Sequence, residues 1–198
     1  METKKLKADE TLNKLKEKLA GGASLAVAFD GSADMKGSKR AELLRALAFS
    51  TLQRGSGDKD AAIGSLLNAA LPRTPLSVRL GSDGKSAEFF GTGIKPLLSA
   101  VLSAASLFKN AVCADKIVGK AAALIFAYAK AGFVYAETVS HPALEILKTH
   151  GIPCEYAKCV PFIQNRAGLD QCPMELLCAD TDSPEEAVRR LRERVVGG

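Results

Sequence analysis

The segment Ala121-Ala-Ala-Leu-Ile-Phe-Ala-Tyr-Ala129 constrains this chain more than any other. It is apolar around its whole circumference, so no face of a helix built from it is suited to water. It is also far shorter than the roughly 20 residues that cross a bilayer. The segment therefore has to be buried by other parts of the same protein. Read together with Asp115 to Lys120, it predicts a helix over 115–129 lying beneath a sheet.

What surrounds that helix sets the fold class. Residues 9–19 read as a polar helix with Leu12, Leu15 and Leu19 on one stripe, stopped at Gly21-Gly22, and Leu25 to Phe29 reads as a short strand. Ala41 to Gln53 and the alanine-rich Ala61 to Leu71 are helical by pattern, with Gly55-Ser56-Gly57 as a linker between them. Leu76 to Leu80 and Ser86 to Phe90 flank Ser82-Asp83-Gly84, a hairpin signature. Pro96 opens a helix, Phe133 to Val139 is a strand, and Pro142 to Thr149 is a helix ended by Gly151. Cys154 to Ile163 reads as one strand or two short ones. Ser183-Pro-Glu-Glu186 is a capping box that starts a final helix running to about Val195. Helices alternating with single strands after one hairpin point to an α/β fold, a three-layer α/β/α sandwich with a mixed sheet. Two regions are expected: an N-terminal extension over residues 1–72, helical with one short strand, and a main domain over 73–198.

Composition narrows the function classes. Apolar residues make up 47% and charged residues 25% of the 198, the balance of a globular chain. The net charge of +5 is spread along the sequence, and aromatics are only 6%. There is no basic block with interleaved aromatic residues, which argues against a nucleic-acid partner. The charged start, Met-Glu-Thr-Lys-Lys-Leu-Lys, is no signal peptide, and nothing suggests a membrane partner. The five cysteines (Cys113, Cys154, Cys159, Cys172 and Cys178) are odd in number and fit no disulfide framework. The expected location is cytoplasmic, with reduced thiols.

Three constellations carry chemistry. The densest is Asn165-Arg-Ala-Gly-Leu-Asp-Gln-Cys-Pro-Met-Glu175. Proline is favoured at the first position of a helix, so Cys172 falls near a helix N-cap, where free N–H groups favour a thiolate. Cys172 is a candidate nucleophile, Glu175 a candidate acid or base, Arg166 an anion clamp and Asn165 an orienting amide. The second constellation is Cys113-Ala-Asp115-Lys116-Ile-Val-Gly119-Lys120. With a helix beginning near Asp115, this carboxylate lies in its first turn, a candidate catalytic group. Lys116 and Lys120 then share a face over Gly119, where they would receive a phosphate or carboxylate. The third is Ser140-His141-Pro142 at a strand-to-helix junction, a common binding position in α/β folds, although the favoured reading is an N-cap serine before a helix-initiating proline with His141 simply exposed.

Asp115-Lys-Ile-Val-Gly-Lys-Ala-Ala-Ala123, Asn165-Arg-Ala-Gly…Cys172-Pro-Met-Glu175 and Asp182-Ser-Pro-Glu-Glu-Ala187 together resemble a bacterial and archaeal family of unknown function placed in the cytidine-deaminase-like superfamily. The resemblance runs from about Leu76 to Val195 and includes Gly93-Ile-Lys-Pro-Leu-Leu98. It implies the α/β/α sandwich, with a pocket at the N-terminal ends of two helices, here near Cys113 to Lys116 and near Ser140 to Pro142. A zinc deaminase needs His-x-Glu or Cys-x-Glu at the first place and Pro-Cys-x-x-Cys at the second. This chain offers Cys113-Ala-Asp115 and Ser140-His-Pro-Ala-Leu-Glu145. Cys113 and His141 supply two ligands, and Cys172 a third only if its loop folds over the pocket, so the standard zinc signature is missing.

The expectation is a cytosolic protein that needs no metal or other cofactor. It would bind a small anionic or nucleotide-like ligand through Asp115, Lys116, Gly119, Lys120, Asn165 and Arg166. Three alternatives stand beside it: an enzyme with Cys172 as nucleophile, an unusual zinc-dependent nucleoside or base deaminase, and a non-catalytic oligomeric or regulatory module. Superfamily members commonly self-associate, so a homo-oligomer is the partner that the resemblance implies.

Overall fold

The computed structural model describes residues 2–28, 77–80 and 86–196. The helices read at Ala41–Gln53 and Ala61–Leu71, their linker, and the Ser82-Asp83-Gly84 turn lie outside the described residues. In chain order the elements are α1 (Glu2–Ala20), β1 (Leu25–Ala28), β2 (Ser77–Leu80), β3 (Ser86–Phe90), α2 (Lys95–Phe108), β4 (Val112–Val118), α3 (Lys120–Tyr128), β5 (Phe133–Ser140), α4 (His141–Thr149), β6 (Cys154–Val160), α5 (Pro173–Leu177) and α6 (Pro184–Val196).

The strands form one mixed sheet in the order β2-β3-β1-β4-β5-β6. β2, β3, β1 and β4 pair antiparallel, and β4, β5 and β6 pair parallel. The parallel half follows from two successive strand–helix–strand crossovers, through α3 and α4. β1 lies between β3 and β4, so the short strand of the N-terminal extension is an interior strand of the sheet.

Alternation along β1 and β4 divides the side chains between two faces. Leu25, Val27 and Cys113 join the main core with α2, α3, α4 and α6, while Ala26 and Ala114 join Leu15 and Leu19 of α1 on the opposite face. The result is α1, sheet, four helices: the α/β/α sandwich. The apolar stripe of α1 is the expected one, with Leu12, Leu15 and Leu19 all buried. Lys18 pairs with Glu88 of β3 at 2.6 Å, and Lys16 stands 4.3 Å above the Tyr135 ring of β5.

Most of the apolar segment is where it had to be: Ala121 to Phe126 are all buried, while Tyr128 at the helix end is exposed. The helix over 115–129 is corrected, however. Val112–Val118 is a strand, and the helix starts only at Lys120. The reason is a change of phase. Cys113 and Val118 both face the main core although they are five positions apart, an odd step that regular alternation would send to opposite faces, and the same holds for Val134 and Val139 and for Cys154 and Cys159. These positions are aligned across the three strands, Cys113↔Val134↔Cys154 and Val118↔Val139↔Cys159. The pairing is interrupted between them at Lys116, Glu137 and Ala157. All three parallel strands thus shift phase together. The apolar positions 113, 114, 117, 118, 121 and 122 mimic a helical period across what is a kinked strand followed by a helix.

Candidate functional site

Parallel strands deliver the starts of their crossover helices to one edge of the sheet. β4 ends at Val118, Gly119 turns the chain, and α3 begins at Lys120. β5 ends at Ser140, which caps α4 by accepting the Ala143 N–H at 3.4 Å. Pro142, in the first turn, has no N–H to satisfy. Two helix N-termini, each with free backbone donors, therefore stand side by side.

Between them lies the carboxylate of Glu175, which is 2% exposed. Its Oε1 accepts the Ser140 hydroxyl at 2.5 Å and the Lys120 N–H at 3.1 Å. Its Oε2 accepts the Ile163 N–H at 2.8 Å and the Gln171 Nε2 at 3.4 Å. Burial would penalise a lone carboxylate severely, and these four donors offset that cost. Ser140 is itself fully buried. Gly119 makes the approach possible, since a Cβ there would stand 2.9 Å from Ile163 Cγ1 and 3.0 Å from Glu175 Oε1.

Lys120 contributes more than its N–H. Its ammonium donates to the Ala179 carbonyl at 2.9 Å and pairs with Asp182 Oδ1 at 2.9 Å. The Lys120 side chain is only 13% exposed, whereas that of Asp182 is 76% exposed. The pair borders an open groove of about 530 Å³ lined also by Pro142, Glu145, Ile146, Lys148 and Thr149.

The other expected residues are placed differently from one another. Asp115 and Lys116 belong to β4, not to a helix first turn, so Lys116 and Lys120 do not share a helix face over Gly119. Asp115 Oδ1 accepts the Ile117 N–H at 3.1 Å, within the stretch where the strand changes phase. Burial, reinforced by Glu137, pushes the Asp115 carboxyl up to about 7. Cys113 lies in the main core, where burial holds its thiol far above the ordinary range. His141 is exposed at the start of α4. Cys172 is the half-buried N-cap residue of α5, as its place before Pro173 suggested, but α5 has only five residues and few aligned dipoles behind it. Asn165 serves its own loop, accepting the Leu169 N–H through Oδ1 at 3.2 Å. Arg166 is exposed on that loop. Among the described residues, no three His, Cys, Asp or Glu side chains converge to hold a metal ion. All five cysteines are free.

Sequence reasoning passed over Asp182, Glu145, Lys148 and the Ser140–Glu175 contact. Asp182 entered only at the head of the motif Asp182 to Ala187, and Ser140 only as part of a strand-to-helix junction without a partner. No local pattern connects position 120 with 182, or 140 with 175; the fold makes both neighbours.

The model of the TM1506 family, described as domain of unknown function (DUF1893), matches residues 67–195. The chain belongs to this family. The DUF1893 match spans β2 to α6, including both helix starts, Glu175 and the groove. A solved structure described as a DUF1893 family protein (TM1506) from Thermotoga maritima is similar, with 27% identity and a TM-score of 0.51. The likeness covers 72% of this chain and 95% of that one. No curated protein matches the chain. None of the described helices is long and apolar enough to cross a membrane.

Proposed function

We propose that this DUF1893 protein is a cytosolic binder of a small anionic or nucleotide-like ligand, built on a deaminase-like fold without the standard zinc centre. The observation that carries the proposal is the Lys120–Asp182 pair. A nearly buried ammonium faces a groove, donates to the Ala179 carbonyl and, among the described residues, has its charge matched by an exposed aspartate at the rim. A phosphate or carboxylate entering the groove would take the place of Asp182 on Lys120, with Lys148 as a second cation at the wall. The deaminase-like placement is supported by the layering and by two helix starts side by side at the ends of parallel strands. The space between those starts holds Glu175 and its donors, and Cys113, His141 and Cys172 form no common cluster, so zinc chemistry gains no support. The absence of disulfides among the five cysteines favours a reducing compartment.

The test is a thermal-shift and calorimetric panel of inorganic phosphate, nucleoside monophosphates and small dicarboxylates, with Lys120→Ala and Asp182→Asn beside the wild type. A ligand of the groove loses at least about tenfold in affinity in Lys120→Ala and gains in Asp182→Asn, which lacks the competing charge. Binding that is indifferent to both substitutions, or no binding across the panel, would end this reading.

A second reading, an oligomeric module, rests on exposed apolar side chains. Leu169 is 87% exposed, Ile117 55% and Leu176 51%. Sedimentation of the wild type and of Leu169→Ser decides it: a monomer at all concentrations removes the proposal.

A further inference from the structure

The segment from Pro161 to Leu177 is held to the body of the protein in an unusual way. Three of its large apolar side chains do little of the holding, since Phe162 is 43% exposed, Leu169 87% and Leu176 51%, while Met174 and Leu177 rest against the main core. The tip is stiffened by its own hydrogen bonds, with Asn165 N–H to the Asp170 carbonyl at 2.7 Å and Gly168 N–H to the Asn165 carbonyl at 3.0 Å. These bonds shape the loop without attaching it. The deepest attachment is Glu175, inserted between the starts of α3 and α4.

All four partners of this carboxylate act as donors. Lys120 N–H belongs to the first turn of a nine-residue helix, and Ser140 Oγ is the fully buried cap of another. Ile163 N–H and Gln171 Nε2 belong to the segment itself. Gly119, at the start of α3, leaves the room that Oε1 occupies. Donors, helix ends and missing Cβ describe the receptor for a small anion, and the anion is supplied by the chain.

We propose that the gap between the starts of α3 and α4 is a carboxylate-binding site with Glu175 as its tethered occupant, so that the segment 161–177 is latched by anion recognition in addition to the apolar contacts of Met174 and Leu177. Tethering gives the carboxylate a high effective concentration, so the wild-type site stays filled against free carboxylates in solution. The latch joins Lys120 and Ser140 directly. It thereby sets the relation between α3 and α4, whose first turns also border the groove, and it does so whether or not the groove takes a ligand.

The experiment is chemical rescue in the full chain, read by thermal midpoint and by hydrogen exchange at the Lys120 and Ile163 amides. Glu175→Ala empties the site and is expected to lower the midpoint and speed exchange at both amides. Sodium formate then restores the midpoint and slows Lys120 exchange, while equal sodium chloride and neutral formamide do not. Glu175→Gln fills the volume but turns an NH2 towards donors, so it is destabilised too and formate does not rescue it. If Glu175→Ala does not fold, recovery of its native circular dichroism in formate, and not in chloride, carries the same meaning. A Glu175→Gln variant with wild-type midpoint and exchange would overturn the proposal, as would a Glu175→Ala variant that responds equally to formate and chloride or to neither.

Discussion

The Ser140 hydroxyl donates to Glu175 Oε1 at 2.5 Å, joining the cap of α4 to a residue 35 positions further along the chain. Ser140 also accepts the Ala143 N–H, so one buried oxygen both caps a helix and receives the latch. Removing it leaves a buried carboxylate short of a donor and a helix start without its cap. Ser140→Ala should therefore lose about 1–3 kcal/mol of stability. Urea unfolding that shows no loss would mean that the pair is incidental.

Gly119 is required by space and not by its backbone angles, which are φ −92° and ψ 177°. A methyl group there meets Ile163 and Glu175 within about van der Waals overlap. Gly119→Ala should destabilise by about 1–3 kcal/mol through overpacking. In the Glu175→Ala background the penalty should shrink, because one of the two obstructing groups has gone. Equal penalties in both backgrounds would show that Glu175 is not part of the constraint.

Asp115 gives a pH dependence of definite sign. Its carboxyl is raised from 3.8 to about 7 by burial and by Glu137, while the unfolded chain keeps the ordinary value. Between these values the folded state holds a proton that the unfolded state has released. The contribution of Asp115 is then most favourable at about pH 4 and below, and it is lost as pH rises towards about 7. Asp115→Asn, which keeps an oxygen for the Ile117 N–H, should match the wild type near pH 4 and exceed it in stability near pH 8. A stability difference that does not vary with pH would refute this assignment.

The thiols should separate by location. Cys113 and Cys178 are buried, and burial raises Cys178 to about 11 and Cys113 beyond the usual range. Cys154, half-buried beside Glu155, is raised to about 11 as well. Alkylation of the native protein near neutral pH, followed by peptide mapping, should label Cys159 and Cys172 first and leave Cys113 and Cys178 unlabelled until unfolding. Early labelling of Cys113 would contradict its place in the core.

Much of the fold was legible in local signals. The stripe Leu12, Leu15 and Leu19 announced α1, Pro96 the start of α2, and Ser183-Pro184 the start of α6, because capping and periodicity act within a few residues. The stretch 113–119 was misread for an equally physical reason. Three neighbouring strands change phase together there, and a strand with such a slip presents apolar residues at helical spacing. The candidate site was legible in part. Glu175, Lys120, Gly119 and Ser140 were all singled out, but as separate groups in separate motifs.

The sequence alone determined that most of the apolar segment 121–129 must be buried, that helices and strands alternate, and that Cys172 precedes a helix opened by proline. These follow from solubility, periodicity and backbone geometry within a short window. The tertiary structure decided the rest. β1 became an interior strand, Asp115 left the helix for β4, and Glu175, Ser140, Lys120 and Ile163 came together at two helix ends. Such contacts join residues tens of positions apart, and only the packing of the parallel strands, which sets both helix starts on one edge, brings them within hydrogen-bond distance.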